Sequence, residues 1–404
     1  MKVRETANIL VITHNVALPI HEHMSKEFSD RIYFMARRFG KIHIVSKQRK
    51  MNQHDRMSIT DHPNIVVHRI PNSLISSNLS ILTIAREMGA DVIFADMIRH
   101  GASALLCKKQ TGIPLITFVQ GYEADLKSIR IKLKLGMKPN PGLLSEVYAL
   151  HDRLVLRASD RILCVSHGLG DYARKMLPRR DHDKIQVIPH SLGYVKNVSR
   201  DAYRWADTLV SSLTTTTRRK VVPIIVIGLD STKGTHIALN AHKYIVEREA
   251  NAFMFLIART VGSRYVKMAR ELELEANLKF LENLPRDKVI ALLSKSSILL
   301  FPSFSEGFSW AAAEAMALGV PIVSYANKSI RDAQSKAAII SVQTTSPIDY
   351  ARECLCLIKN EKLRSELVGK ARTYVNPFLR FPEEKRLGMI CNNISQVLSS
   401  RQRD

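Results

Sequence analysis

Short apolar runs rich in β-branched residues alternate with amphipathic segments along most of the chain. Runs of this kind predict buried strands of parallel sheets, and apolar positions repeating every three to four residues predict helices. The predicted strands of the first half are residues 9–12, 42–45, 65–68, 92–94, 115–119, 162–165 and 185–188. Those of the second half are residues 221–227, 253–258, 278–280, 298–301 and 321–324. The alternation indicates an α/β protein.

The chain is long for one hydrophobic core, since 404 residues exceed the usual size of a domain. We therefore predict two doubly wound domains, residues 1–198 and 220–375, joined by a polar linker at residues 199–219. A break at Asn376-Pro377 precedes a C-terminal helix within residues 376–404. Ligands of doubly wound sheets bind at the carboxyl ends of the strands, so a cleft between the domains is expected.

The net charge of +23 indicates negatively charged partners. It favours nucleic acid, an anionic lipid surface or a phosphate-bearing substrate, and a solvated basic surface remains an alternative. No aromatic-basic RNA motif is present, so nucleic acid is not expected. No apolar stretch approaches the ~20 residues of a spanning helix. The first apolar segment resembles a core strand rather than a signal peptide, and the five cysteines suggest reduced, buried thiols in the cytoplasm.

Two glutamates, Glu306 and Glu314, flank a predicted strand-to-helix turn. On one helix they would lie roughly 12 Å apart, whereas glycosidase carboxylates lie about 5–9.5 Å apart. A shared proton or metal ion is thus disfavoured. The helix start favours a phosphate or diphosphate, Gly307 permits close approach, and the carboxylates can accept hydroxyls on either side. This combination indicates a nucleotide sugar, although a solvated Glu306 and a Glu314 that caps a packed helix remain open.

Several motifs of the chain resemble those of family 4 glycosyltransferases, which are retaining enzymes of the GT-B fold. The donor-site motif is represented by Ser305-Glu-Gly-Phe308, by Glu306 and Glu314, and by Ala315-Met-Ala-Leu-Gly-Val-Pro-Ile-Val323. Further segments agree in order and spacing: residues 160–166, 187–190, 232–235, 281–286 and 297–303. The resemblance covers most of residues 160–325 and implies two Rossmann-like, doubly wound parallel-sheet domains that face a central cleft. It also implies that the C-terminal helix packs back on the N-terminal, acceptor-side domain.

The resemblance assigns roles to individual residues. Glu314 would hold the ribose hydroxyls, Glu306 the hydroxyls of the transferred sugar, and Lys233 the diphosphate. The other residues expected at the donor site are Gly228, Arg259, Gly307, Phe308 and Ser309. Donor chemistry of this kind needs no metal ion or other cofactor beyond the nucleotide sugar itself.

The chain departs from the family pattern at three places. Gly228-Leu229 stands where the family has Gly-Arg, so Arg259 and Arg264 are candidates for the missing arginine. Gln120-Gly121 replaces a His-Gly pair near the reacting end of the sugar, and a glutamine donates a hydrogen bond but does not titrate. The first turn, which contains His14, lacks the family's glycines. Catalysis by charge stabilisation tolerates these changes.

A basic amphipathic stretch, residues 126–138, is expected on the acceptor side together with His14. It contains Arg130, Lys132 and Lys134 and fits an anionic membrane surface and a lipid-phosphate acceptor, or simply a solvated basic segment.

The combined prediction is a cytoplasmic retaining glycosyltransferase, peripheral on the cytoplasmic face of the membrane, that moves a hexose-type sugar from a nucleotide diphosphate sugar to a lipid-linked or glycan acceptor. A catalytically silent relative and a GT-B nucleotide-sugar epimerase are the alternatives, and the two spaced glutamates argue against the epimerase.

Overall fold

The computed structural model divides the chain into two compact units. The first unit comprises Met1–Ala124, Glu146–His190 and Glu383–Asp404, and the second comprises Asp125–Ser145 and Ser191–Pro382. The residues that the structure describes are 6–13, 16, 20, 26–48, 57–59, 62–71, 73–139, 142–217 and 220–400.

The first unit is built around a mostly parallel sheet. Its strands are β1 (Asn8–Thr13), β2 (Lys41–Gln48), β3 (Met57–Ile59), β4 (Ile65–Pro71), β5 (Val92–Ala95), β6 (Leu115–Val119), β7 (Arg161–Cys164) and β8 (Ile185–Val187). Their spatial order is β3-β4-β2-β1-β5-β6-β7-β8, and among these strands β3 alone is antiparallel to its neighbour. The order reverses between β1 and β5, so the loops after these two strands diverge at the carboxyl edge.

The second unit contains a fully parallel sheet in its described residues. Its strands are β9 (Val222–Ile227), β10 (Ala252–Ala258), β11 (Leu278–Glu282), β12 (Ile298–Phe301), β13 (Ile322–Tyr325) and β14 (Ile340–Val342). The order is β11-β10-β9-β12-β13-β14. The reversal lies between β9 and β12, whose register pairs Ile298 with Ile224 and Leu299 with Ile225.

Helices connect the strands of both units. The α-helices in chain order are α1 (Lys26–Arg38), α2 (Leu74–Glu87), α3 (Gly101–Thr111), α4 (Glu123–Lys134), α5 (Gly142–Ala158), α6 (His167–Met176), α7 (Arg200–Thr217), α8 (Thr235–Val246), α9 (Ser263–Glu271), α10 (Arg286–Ser294), α11 (Trp310–Leu318), α12 (Arg331–Ser335), α13 (Pro347–Lys359), α14 (Glu361–Arg380) and α15 (Glu383–Ser400). The two Rossmann-like, parallel-sheet units confirm the predicted fold class.

The C-terminal helix α15 belongs to the first unit and is tied to α1 by buried charges. Arg386, which is fully buried, donates to Glu27 at 3.2 Å and also pairs with Glu383. Burial alone would raise the pKa of Glu27, but the cations Arg31 and Arg386 outweigh it and lower that pKa to about 2. The alternating charges compensate one another, which a buried ionic group requires.

Three local predictions differ from the structure. The predicted linker, residues 199–219, is largely the helix α7, whose Ala202 and Ala206 are buried. Helix α14 continues through Pro377, and the chain breaks after Arg380 instead of at residues 376–377. Cys356 is exposed, whereas the other four cysteines are buried as predicted.

Buried histidines make the stability of the fold sensitive to acid. Burial lowers the pKa of His242 to about 4, and its Nε2 lies 2.9 Å from the carbonyl oxygen of Asn277. Unfolding restores a pKa of about 6.5, so the contribution of this uncharged ring is complete above that pH. It is lost progressively as the pH falls from there towards 4.

We expect the melting temperature to fall less between pH 7.5 and pH 5 in the His242→Gln variant than in the original chain. Glutamine still donates to Asn277 but takes up no proton. Differential scanning fluorimetry at both pH values measures this difference. The control is His167→Gln, because His167 is exposed, and equal losses in His242→Gln and the original chain would contradict the prediction.

Candidate active site

The reversal of strand order in the second unit places two loops next to each other. The loop after β9 runs from residue 228 to 234, and the loop after β12 runs from residue 302 to 309. Because β9 and β12 are neighbours whose connections lead in opposite directions, their loops open a crevice at the carboxyl edge of the sheet. Lys233 lies on the first loop and Glu306 on the second.

A hydrogen-bonded turn fixes the backbone around Lys233. Asp230 accepts hydrogen bonds through Oδ1 from the backbone N–H groups of Thr232, at 2.6 Å, and Lys233, at 2.9 Å. This is the local side-chain-to-backbone bonding that makes aspartate favourable in turns. The turn presents Lys233 next to Gly234, the N-cap residue of α8.

Gly234 and Pro302 bring the two loops into direct contact. Gly234 has a φ of +68°, and a Cβ built on it would lie 2.3 Å from the carbonyl oxygen of Pro302. The backbone N–H of Phe304 donates to the carbonyl of Thr232 at 2.9 Å. Only glycine fits this position without a shift of the backbone, so the sequence Lys233-Gly234 has a steric explanation.

Lys233 and Glu306 form an ion pair across the two loops. The Nζ of Lys233 lies 2.5 Å from Oε1 of Glu306, and Oγ of Ser303 donates to the same oxygen at 2.7 Å. Gly228, with a φ of +93°, leaves room for the stem of the lysine, since a Cβ there would lie 3.3 Å from Cγ of Lys233. The glutamate side chain is 13% exposed and the lysine 31%, so water reaches this pair.

Glu314 lies in a different environment, on the buried face of α11. Its Oε1 accepts hydrogen bonds from the hydroxyl of Tyr194 and the guanidinium of Arg286. Burial raises the pKa of Glu314, while the charge of Arg286 and the two hydrogen bonds act in the opposite direction. Arg286 also lies 5.5 Å from the ring centre of Tyr194 and 5.9 Å from that of Trp310. These contacts hold the carboxylate at one position.

The side chains of Phe308 and Ser309, between the two glutamates, contact other residues of the second unit. Phe308 packs against Trp310 and Phe378, with ring centres 5.0 Å and 6.1 Å apart. The hydroxyl of Ser309 lies 2.9 Å from that of Ser329. The side chains of Phe308 and Ser309 therefore support the start of α11, and Gly307 is half-buried in the loop before it.

The other predicted donor residue, Arg259, follows directly after β10 and is exposed. It lies on the same carboxyl edge as Lys233, because β10 is parallel to β9. Arg286 and Tyr194 were not predicted as site residues. Arg286 belongs to the segment 281–286 that supports the family resemblance. No local sequence pattern indicates that it pairs with Glu314.

In the first unit Gln120 is held by a buried carboxylate. Its Nε2 donates to the backbone carbonyl of Asp96 at 2.6 Å and to Oδ1 of the same residue at 3.2 Å. Asp96 also accepts from Thr13 at 2.9 Å and pairs with Arg31 at 2.6 Å. Burial raises the pKa of Asp96, and the charge of Arg31 opposes that shift. The amide N–H groups of Gln120 are thus engaged within the protein.

The predicted acceptor-side residues fall into two groups. His14 lies outside the described residues. Arg130, Lys132 and Lys134 lie on α4, and Arg130 and Lys134 are exposed. The apolar side of this helix is not free, because Ile129 is 1% exposed and is part of the hydrophobic core of the second unit. Leu135 and Met137, at the end of the basic stretch, are exposed, and the membrane contact predicted for this stretch stays a prediction.

The described residues contain neither a candidate metal cluster nor a candidate membrane span. No group of three or more His, Cys, Asp or Glu side chains is arranged to hold a metal ion. No helix in the part of the chain that the structure describes is long and apolar enough to span a bilayer.

Two successive regions of the chain match known protein families. Residues 64–190 match the family described as glycosyl transferase 4-like domain, and residues 216–374 match the family described as glycosyl transferases group 1. Together the two matches include Gln120, Lys233, Glu306 and Glu314.

Individual proteins show the same relationship. The chain is 24% identical over 341 residues to an uncharacterized glycosyltransferase of Methanocaldococcus jannaschii, MJ1178, covering 80% of this chain and 84% of that protein. It is 26% identical over 224 residues to the 2-deoxystreptamine N-acetyl-D-glucosaminyltransferase of Streptomyces fradiae, covering 54% of this chain and only 52% of that enzyme.

Among solved structures, the fold is similar to that of Anabaena HepE, which was crystallised with UDP and glucose. The TM-score is 0.68 at 14% identity, and the similarity covers 96% of this chain and 99% of HepE. The chain thus has a GT-B fold, and residues 64–190 and 216–374 match two glycosyltransferase domain families.

Proposed function

We propose that the protein transfers a hexose-type sugar, with retention of configuration, from a nucleotide diphosphate sugar to a lipid-linked or glycan acceptor. The observation that carries this proposal is that two carboxylates, one on either side of the N-terminus of α11, are each held by a different set of residues. Glu306 is paired with Lys233 in the water-accessible loop, and Glu314 is buried against Arg286 and Tyr194. A ligand with hydroxyls at both ends and phosphates between them fits this arrangement.

The diphosphate of the donor fits between these carboxylates. The N-terminus of α11 supplies a positive dipole end, and Lys233 supplies a cation. In this assignment Lys233 exchanges part of its contact with Glu306 for the diphosphate, which frees Glu306 to accept the hydroxyls of the sugar. Glu314 binds the ribose hydroxyls, and Arg259, exposed on the same edge, contacts the nucleotide.

The proposed reaction needs no nucleophile from the protein. The bond between the anomeric carbon and the diphosphate breaks, and its electron pair goes to the departing phosphate oxygen. The acceptor hydroxyl then bonds to the anomeric carbon from the same face, and its proton passes to the departing diphosphate. Lys233 stabilises the developing negative charge, which is the type of interaction that contributes most to such reactions.

A catalytically silent relative is an alternative because the side-chain amide of Gln120 is already hydrogen-bonded within the protein. In the conformation observed, its N–H groups donate to Asp96 and not towards an open site. A nucleotide-sugar epimerase with the same fold is the other alternative. Cytoplasmic location at the membrane surface is part of the leading proposal.

A panel of UDP-, GDP- and ADP-sugars tests the proposal by thermal shift. The UDP-sugars come first, because HepE, which shares the fold, has been crystallised with UDP-glucose. We expect one nucleotide class to raise the melting temperature of the original chain, and Glu314→Gln to reduce that shift. If no nucleotide sugar stabilises the protein, the proposed donor site is wrong.

Turnover distinguishes the alternatives. Release of nucleoside diphosphate that depends on a glycan or lipid-phosphate acceptor supports the transferase. Conversion of the donor to its epimer, observed by NMR, identifies an epimerase. Binding without either reaction identifies a silent relative.

A further inference from the structure

Helix α5 carries a stripe of large apolar side chains on its exposed surface. Leu143, Val147, Leu150 and Leu154 are 81%, 63%, 57% and 52% exposed. Spacings of four, three and four residues place them on one face of the helix. Single exposed leucines are common in soluble proteins, but a continuous stripe of them usually marks an interaction surface.

The stripe is not the inward face of α5. That role belongs to a different set of side chains, including Ala149, Val155 and Leu156, which are 6%, 1% and 0% exposed. Val155 packs so closely against α3 that a Cβ on Gly101 would lie 2.2 Å from one of its methyl groups. The helix is therefore apolar on two faces, and packing within the chain accounts for one of them.

Neighbouring helices of the first unit extend the apolar surface. The connections from β4 to β5, from β5 to β6 and from β6 to β7 all lead in the same direction across the sheet. Right-handed crossovers then place α2, α3 and α5 on the same face of that sheet. On α2, Ile75 and Leu79 are 77% and 61% exposed, and on α3, Leu106 is 47% exposed.

Basic side chains border this apolar surface. Arg153 and Arg157 are exposed on α5 beside the stripe, Lys109 is exposed on α3, and Arg86 is exposed on α2. Exposed acidic residues on the same helices are Glu87 and Glu146. The local excess of positive charge has the same sign as the net charge of +23.

We propose that the exposed face of α2, α3 and α5 docks on an anionic lipid bilayer. Leucine and valine side chains enter the region between headgroups and acyl chains, and the flanking arginines reach the lipid phosphates. A second copy of the chain is a poorer occupant, because two surfaces of the same charge repel each other. The residues of this surface are separate from Lys233, Glu306 and Glu314, so donor binding and docking can be tested independently.

Flotation of the full chain with lipid vesicles tests the docking surface. We expect binding to vesicles of phosphatidylcholine with one-third phosphatidylglycerol, weaker binding at high salt, and little binding to phosphatidylcholine alone. The triple variant Val147→Gln, Leu150→Gln, Leu154→Gln should lose at least about tenfold in affinity, because three apolar side chains no longer enter the lipid. Its substitutions lie on exposed positions, and an unchanged melting temperature verifies that it folds.

A matched variant, Val266→Gln with Ile348→Gln, removes exposed apolar side chains of the second unit and should bind as the original chain does. Neutralising Arg130, Lys132 and Lys134 tests the basic segment of α4 and should have a smaller effect than the triple variant. Undiminished binding of the triple variant would overturn the proposal. So would a concentration-dependent dimer in sedimentation velocity that the triple variant abolishes, since the surface would then bind a second copy.

Discussion

Lys233→Met is expected to reduce kcat for sugar transfer by about 10²–10³-fold, the loss typical when one group that stabilises transition-state charge is removed. Methionine keeps most of the length of the lysine stem above Gly228 but carries no charge. The departing diphosphate would then lose the cation that lies 2.5 Å from Glu306 in the structure. Steady-state kinetics with the donor found in the nucleotide-sugar panel measure kcat and KM separately.

Two further variants show whether the charge itself is responsible. Lys243→Met removes a half-buried lysine of the same unit, which pairs with Glu273 at 3.2 Å, and should leave kcat unchanged. The double variant Lys233→Met, Glu306→Gln tests whether activity is lost only because Glu306 has become an unpaired carboxylate. Recovery of activity in the double variant, or a kcat of Lys233→Met close to that of the original chain, would rule out the assigned role.

The position of Lys233 and Glu306 could be predicted because it depends on local sequence. The strands at residues 221–227 and 298–301 were predicted from continuous apolar runs, and they are observed as β9 and β12 with nearly the same bounds. Such runs are typical of strands buried on both faces of a parallel sheet. The predicted helix 310–318 is α11, and Gly319 ends it with a φ of +75°.

The partners of Glu314 could not be predicted in the same way. Tyr194 is separated from Glu314 by 120 positions and Arg286 by 28. Their contacts depend on how α10 and the turn after His190 pack against α11, and no short-range pattern encodes this. The helix that carries Glu314 could thus be predicted, but its contacts with Tyr194 and Arg286 could not.

The predicted linker at residues 199–219 and the predicted break at Pro377 are both helical in the structure. The polar, threonine-rich segment looked like a linker, but its apolar positions, including Ala202 and Ala206, have helical spacing and are buried. A proline inside a helix costs about 3 kcal/mol. In α14 the buried side chain of Val375 and the hydrogen bond from the Leu192 N–H to the Phe378 carbonyl at 3.0 Å offset this cost.

Arg286→Met is expected to lower the free energy of unfolding by about 2 kcal/mol, because it leaves the buried carboxylate of Glu314 without its cation. The value lies below the range of about 3–5 kcal/mol for fully buried pairs, since the arginine side chain is 48% exposed. Without Arg286, burial acts unopposed by that charge and raises the pKa of Glu314 further. The folded-state pKa of Glu314, already above the unfolded one, then rises further, so the deficit in stability should be larger at pH 8 than at pH 5.

A double-mutant cycle isolates this interaction from other effects of the two substitutions. Glutamine at position 314 carries no charge, so Arg286→Met should cost much less in the Glu314→Gln background than in the original chain. Urea unfolding of all four proteins at pH 8 gives the coupling energy, which we expect to be about 1–2 kcal/mol. Strictly additive effects would mean that Arg286 does not stabilise the charge of Glu314. Because both proposed roles of Glu314, in stability and in ribose binding, depend on a carboxylate held in one place, Arg286→Met should also weaken nucleotide-sugar binding in the thermal-shift assay.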